Sequence, residues 1–91
     1  MCFSGHKLYA PKGIGVLFVR QRRPNRVKIS ALIHGGGHER GLRSGTLNVP
    51  GIVALGKACS IAQNEMHQNQ KSIGQLRDYL ERELLKFMIQ M

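Results

Sequence analysis

The fold of this 91-residue chain is decided near its beginning, by Ser4-Gly5-His6-Lys7, then Pro11-Lys12-Gly13-Ile14-Gly15 and the apolar run Val16-Leu17-Phe18-Val19. A hydroxyl, an imidazole and a primary amine therefore lie side by side. Lysine amines form Schiff bases with carbonyl compounds, and hydroxyl and imidazole N–H groups donate hydrogen bonds to phosphates. The two glycines before the apolar run allow a tight turn beside a ligand. The stretch predicts a lysine-bearing turn that leads directly into a strand.

Three segments have the pattern of strands. Residues 13–20 contain a continuous apolar run, which is typical of a buried strand, and residues 1–3 would be the end of a strand before the lysine turn. After a turn at Pro24-Asn25, apolar side chains alternate with more polar ones. We therefore predict a second, half-exposed strand on Val27, Ile29, Ala31 and Ile33.

A glycine-rich loop and then helices follow. Residues 34–46 hold too many glycines for a regular element, and long loops in compact domains usually carry function. A helix is expected to start near Asn48 or Val49, with Pro50 in its first turn, where a missing N–H is tolerated. Apolar residues recur at helical spacing on both sides of residues 67–70, where the pattern thins. The sequence predicts two helices, or one long helix with a weak point there.

The charge is strongly basic and uneven. The net charge is +9, and residues 1–43 contain a single acidic residue, Glu39. The basic cluster between Arg20 and Lys28 could bind nucleic acid, but it lacks interleaved aromatic residues and a recognition-helix pattern. A solvated turn is the simpler interpretation, and an acidic protein partner is a third. Cys2 and Cys59 show no metal or disulfide spacing, no signal peptide is evident, and no apolar run is long enough to cross a bilayer.

Two motifs together resemble a known family. The first motif is Ser4-Gly5-His6-Lys7, followed after five residues by Gly13-x-Gly15-x-Leu17. It is similar to the lysine signature of class V aminotransferase-like enzymes, which depend on pyridoxal phosphate. The segment His34-Gly-Gly-Gly-His-Glu-Arg-Gly-Leu-Arg-Ser-Gly-Thr46 resembles the loop of one branch, the cysteine desulfurases of the NifS/IscS type. The resemblance runs from about Met1 to about Leu85. It implies an α/β fold, part of the large cofactor-binding domain of fold-type-I (aspartate aminotransferase-like) enzymes, with two strands, the glycine-rich loop and two helices.

The resemblance also implies site residues. Lys7 matches the lysine that carries pyridoxal phosphate and moves a proton in catalysis. Ser4 and His6 match positions that bind the cofactor phosphate, and Thr46 matches a threonine that reaches the phosphate in the neighbouring subunit of a homodimer. Glu39, Arg40 and Arg43 are expected to order the loop through ion pairs.

Three other interpretations of the glycine-rich loop fail on the residues present. Leu42 stands where a nucleotide-binding loop of the Walker type needs lysine. The chain has no Gly-x-Ser-x-Gly elbow to accompany an esterase oxyanion loop. His34 and His38 are separated by three glycines, and no cysteine or carboxylate at ligand spacing completes a metal site, so no metal is expected.

The implied function is removal of sulfur from L-cysteine, which yields alanine and leaves a persulfide on an enzyme cysteine, for iron–sulfur cluster assembly and tRNA thiolation. Iron–sulfur scaffold and sulfur-carrier proteins are the implied partners, and the cytoplasm, or the mitochondrial matrix in a eukaryote, is the expected location. Neither Cys2 nor Cys59 has the serine-rich context of the sulfur-accepting cysteine. Residues 1–91 therefore look like a piece of that domain, truncated at both ends and inactive alone. The alternatives are another class V lyase, such as selenocysteine lyase, and a basic nucleic-acid or protein interaction module.

Overall fold

The computed structural model describes residues 1–90. Its elements are strand β1 (Cys2–Ser4), a 3₁₀ turn (Gly5–Leu8), strand β2 (Gly15–Leu17), a second 3₁₀ turn (Glu39–Gly41) and helix α1 (Val49–Gln90). The chain divides into two compact units, of which the first is Met1–Cys59 and the second begins at Ser60. The predicted combination of strands and helix is confirmed.

The two strands form a small antiparallel sheet. Cys2 pairs with Leu17, Phe3 with Val16, and Ser4 with Gly15. Beyond this register, the Phe18 N–H donates to the Met1 carbonyl over 2.7 Å. The strand expected within residues 13–20 is therefore present, shortened to three residues, and the strand end expected at residues 1–3 pairs with it.

The predicted strand on residues 27–33 is wrong. That segment has no regular secondary structure, although its alternating side chains Val27, Ile29 and Ile33 remain about half exposed. A strand requires a neighbour to pair its N–H and C=O groups. Here only its ends are bonded, because the Val27 N–H donates to Arg20 O and the Ile33 carbonyl accepts from the Ser44 N–H.

Helix α1 begins where the sequence predicted. The Asn48 side-chain Oδ1 accepts a hydrogen bond from the Gly51 N–H over 3.1 Å, the usual N-cap geometry, and Pro50 occupies the first turn. The helix then runs unbroken through residues 67–70 to Gln90. Of the two predicted alternatives, the single long helix is confirmed and the pair of helices is wrong, because the polar residues at 67–70 thin the apolar pattern without introducing glycine or proline.

The core of the first unit is small. Ala10, Leu55 and Ala58 are buried, and Ile14 and Val16 pack against them. This cluster joins the turn after Lys7, strand β2 and the start of α1. It is therefore the packing that holds the lysine turn in place. Within the described residues, the helical part of the chain has no apolar stretch of the length that a bilayer-spanning segment needs.

Candidate functional site

Lys7 lies in a single 3₁₀ turn that follows β1 without a linker. The turn closes through the Tyr9 N–H, which donates to His6 O over 3.2 Å, and the Ala10 N–H, which donates to Gly5 O over 3.1 Å. Tyr9 adopts the left-handed conformation with φ 67° to end it. The backbone on both sides of Lys7 is therefore fixed by local hydrogen bonds.

Gly5 attaches this turn to the rest of the unit. Its N–H donates to Ile14 O over 2.9 Å, which bonds the turn to the segment entering β2. A Cβ at position 5 would lie 2.8 Å from Ile14 Cγ2, 3.0 Å from Ile14 O and 3.2 Å from Leu55 Cδ1. Only glycine allows so close an approach.

Substitution of Gly5 by alanine is therefore expected to loosen the lysine turn. Because the added methyl would contact both a buried side chain and a backbone oxygen, we expect a loss of about 1–3 kcal/mol in the stability of the first unit. Amide hydrogen exchange of peptides covering residues 1–20 measures this. Gly13→Ala is not a neutral control, because φ is 95° there, whereas Gly56→Ala adds a methyl to open space on α1 and should leave protection unchanged or raised. Equal protection in the Gly5 and Gly56 variants would contradict the assignment.

Ser4 and Lys7 line the same open depression, which has a volume of about 870 Å³. Cys2 and Gly15 complete it together with apolar walls from Phe3, Leu8, Val16 and Leu17. Both Ser4 and Lys7 are solvent exposed. The depression thus combines one amine, one hydroxyl and one thiol with an apolar surface.

The structure does not bring all four predicted cofactor residues to this depression. His6 is exposed within the turn, and Thr46 lies exposed in the segment before α1; neither is among the residues that line it. His6 is therefore next to Lys7 in the chain, but its side chain is not part of the depression.

The glycine-rich loop is held together internally. The buried Ser44 hydroxyl accepts a hydrogen bond from the Gly37 N–H over 3.2 Å, and His38 Nδ1 accepts one from the Gly45 N–H over 3.1 Å. Because Nδ1 is the acceptor, the proton of the neutral imidazole lies on Nε2. These two hydrogen bonds join residues 37 and 38 to residues 44 and 45, and so close the loop just before Thr46.

Sequence reasoning missed Ser44 and His38 as the residues that order this loop. The ion pairs expected from Glu39, Arg40 and Arg43 are wrong for this chain, since the salt bridges found within residues 1–90 all lie on α1. Glu39 and Arg40 instead adopt positive φ angles of 51° and 58° and make the tight turn. The sequence did contain a sign of this arrangement. Ser44 and His38 can each accept a hydrogen bond, and both are close in sequence to glycines whose N–H groups need an acceptor.

The basic cluster is an exposed loop. Its cations form no ion pair within the described residues, and the Arg26 Nε–H donates to Gln21 Oε1 over 3.0 Å. Within residues 1–90, no group of three or more His, Cys, Asp and Glu side chains could hold a metal ion.

The lysine turn, the two short strands and the glycine-rich loop have a known counterpart. The sequence matches the family Aminotransferase class-V over residues 1–89, and the chain belongs to this family. The predicted resemblance to class V enzymes is therefore confirmed.

Individual relatives narrow the comparison to one branch. The chain is 59% identical over 80 residues to the cysteine desulfurase IscS of Ruthia magnifica. The matched segment is 88% of this chain and 19% of that protein. It is 51% identical over 86 residues to the cysteine desulfurase of Rattus norvegicus, covering 94% of this chain and 19% of the relative. A solved structure titled NIFS-like protein superposes with a TM-score of 0.80 at 47% identity, over 93% of this chain and 22% of that one. This chain thus spans about a fifth of the length of the proteins it matches, and its fold is that of one part of them.

Proposed function

We propose that this chain supplies the lysine-bearing part of a pyridoxal-phosphate-dependent cysteine desulfurase. The observation that carries the proposal is the depression shared by the Lys7 amine and the Ser4 hydroxyl. The relatives, which are named cysteine desulfurases, support cysteine as the substrate and favour this branch over a selenocysteine lyase. By the same likeness, the enzyme would act in the cytoplasm, or in the mitochondrial matrix of a eukaryote.

The residues present fit pyridoxal phosphate chemically. The group needs an amine for its aldehyde, hydrogen-bond donors for its phosphate and apolar contact for its ring. Lys7 supplies the amine, Ser4 supplies a donor, and Phe3 and Leu8 are among the apolar side chains of the same depression. We propose that His6 and Thr46 add further phosphate contacts, Thr46 from the second subunit of a homodimer.

Lys7 would serve both as the attachment point and as the proton carrier. Pyridoxal phosphate, when bound, supplies an electron-withdrawing ring that stabilises negative charge on the substrate Cα. Lys7 Nζ would hold the aldehyde of the bound group and, when free, would take a proton from the substrate Cα and later return one. The hydrogen-bonded turn around Lys7 keeps the amine at a fixed place on the backbone.

The sulfur would be accepted by a cysteine outside this chain. Cys2 lies on β1 and Cys59 on α1, and both are exposed thiols in regular elements, whereas transfer of sulfur to partner proteins requires a thiol that can move. Iron–sulfur scaffolds and sulfur carriers would receive the sulfur from that cysteine. We expect the 91-residue chain alone to produce neither alanine nor persulfide from cysteine.

Borohydride trapping tests the site directly. The purified chain is incubated with pyridoxal phosphate and reduced, and the modified lysines are located by mass spectrometry. Because Ser4 shares the depression with Lys7, we expect Lys7 to be modified more than any of the other five lysines, and inorganic phosphate to reduce this preference.

Matched variants sharpen this test. Ser4→Ala should lower modification of Lys7, whereas Ser30→Ala, in the exposed segment after the basic cluster, should not. Modification concentrated at Lys12, or equal at all lysines, would contradict the site. Tight binding to generic RNA or DNA, abolished by changing Arg22, Arg23 and Arg26, would favour the basic interaction module instead.

A further inference from the structure

One of the two side-chain hydrogen bonds that close the glycine-rich loop depends on a titratable group. His38 Nδ1 accepts the Gly45 N–H over 3.1 Å. The other bond, in which the Ser44 hydroxyl accepts the Gly37 N–H over 3.2 Å, involves no titratable side chain. Histidine gains its second proton between about pH 5 and pH 8, and both ring nitrogens are then donors. A proton on Nδ1 therefore removes the acceptor for Gly45 and leaves the bond to Gly37 in place.

The His38 imidazole is packed in the orientation that this hydrogen bond requires. The residue is half-buried, and a Cβ at Gly36 would lie only 2.7 Å from the ring atom Cε1. Because glycine has no side chain, the ring can lie directly against the backbone at position 36 with Nδ1 directed at the Gly45 N–H. The acceptor is thus part of a packed arrangement within the loop.

A guanidinium also lies against Gly45. A Cβ at this glycine would be 2.7 Å from Arg43 Nη1. Protonation of His38 therefore places two positive charges beside one glycine in the closed loop, and opening of the loop relieves their repulsion. The lost hydrogen bond is the larger of the two effects, because Arg43 is exposed and its charge is screened by solvent.

No negative charge offsets this repulsion. Within residues 1–90, no carboxylate of the loop or of any other element forms an ion pair with His38. The remaining charged or titratable residues of the loop are all exposed; they are His34, Glu39 and Arg40.

We propose that protonation of His38 opens the glycine-rich loop at Gly45, so that the loop is closed at neutral pH and released in mild acid. Since only the neutral imidazole can accept the Gly45 N–H, the closed form is most stable above the titration range of histidine and loses stability as the pH falls through it. Gly45 directly precedes Thr46, so its release frees the backbone that carries Thr46. A weaker hold of Thr46 on the cofactor phosphate in acid follows from this, and that consequence rests on the proposed function.

Proton–nitrogen NMR of the full chain, from about pH 5 to about pH 8, measures the opening. The protection of each amide is the ratio of its intrinsic exchange rate with water to the observed rate at the same pH, which removes the ordinary pH dependence of exchange. Between the upper and lower ends of this range, protection of the Gly45 N–H should fall by about fivefold, which corresponds to the loss of one hydrogen bond. The midpoint should coincide with that of the His38 ring protons. The Gly37 and Ala10 amides, whose acceptors do not titrate, should keep their protection.

Substitutions at the two histidines of the loop separate protonation from packing. His38→Gln retains a side-chain oxygen that can accept the Gly45 N–H but takes up no proton in this range, so Gly45 should stay protected at both ends of it. His38→Leu has no acceptor, and Gly45 should be unprotected at both ends. His34→Gln is the matched control, because it removes an exposed histidine of the same loop and should leave the pH response of Gly45 as in the unsubstituted chain.

Two results would overturn the proposal. One is a protection of Gly45 that does not change with pH in the unsubstituted chain, or that changes alike in the His38→Gln variant. The other is an equal loss of protection at Ala10, which would show that the whole first unit opens in acid. Neither result touches pyridoxal phosphate trapping at Lys7 at neutral pH, and a failure of that trapping would remove only the consequence for Thr46, so the two proposals fail separately.

Discussion

Replacement of Lys7 by arginine is expected to abolish desulfurase activity in a chimera that carries this chain in place of the matching segment of the Ruthia magnifica enzyme. Arginine keeps the positive charge and much of the length, but its guanidinium neither forms the Schiff base nor exchanges a proton at neutral pH. We expect alanine formation from cysteine to fall by about 10³-fold or more.

Lys12→Arg in the same chimera is the matched control. Lys12 is also exposed and close in sequence, but it does not line the depression that holds Lys7 and Ser4. Its substitution should change the rate of alanine formation by less than about twofold, because substitutions of exposed residues away from a site have small effects. A Lys7→Arg chimera that kept more than about a tenth of the activity would refute the assignment of Lys7.

Truncation of Leu55 to alanine should have the largest effect on the fold. Leu55 is the largest buried side chain of the first unit, and it contacts the lysine turn near Gly5 as well as the cluster of Ala10 and Ala58. Since the unit has few other buried groups, we expect a loss of about 2–4 kcal/mol in its stability. The amides of Gly5 and Ala10, which are bonded to Ile14 O and Gly5 O, report this by hydrogen exchange.

Leu32→Ala removes the same atoms from a side chain that is 93% exposed in the same unit. It should leave the protection of both amides unchanged, because little apolar surface is returned to water. Should the two leucine variants exchange at the same rate, the small core would not be what holds the lysine turn.

The features that could be predicted from the sequence are those that depend on residues close together in the chain. The lysine turn followed by a strand could be predicted because glycines and a continuous apolar run act over a few residues. The start of α1 could be predicted because Asn48 and Pro50 carry strong positional preferences. The family resemblance could be recognised because two motifs occur in the same order and spacing.

Two expectations about the segments between β2 and α1 are wrong, one because it needed a distant partner and one because local hydrogen bonds take its place. The alternation at Val27, Ile29 and Ile33 meets the pattern of a strand, but pattern alone cannot supply the neighbour that pairs its backbone. The glycine-rich loop is ordered by Ser44 and His38 rather than by its charges, because hydrogen bonds to glycine N–H groups were available at shorter range. The trapping experiment tests the shared site of Ser4 and Lys7, and the roles of His6 and Thr46 stay predictions.

The sheet of β1 and β2 could pair with a further strand on either side. With only two strands, each strand has one side whose N–H and C=O groups have no neighbouring strand within residues 1–90. Such open margins are templates for backbone pairing. An added strand beside Cys2–Ser4 would therefore lie immediately next to Ser4, the residue that precedes the lysine turn.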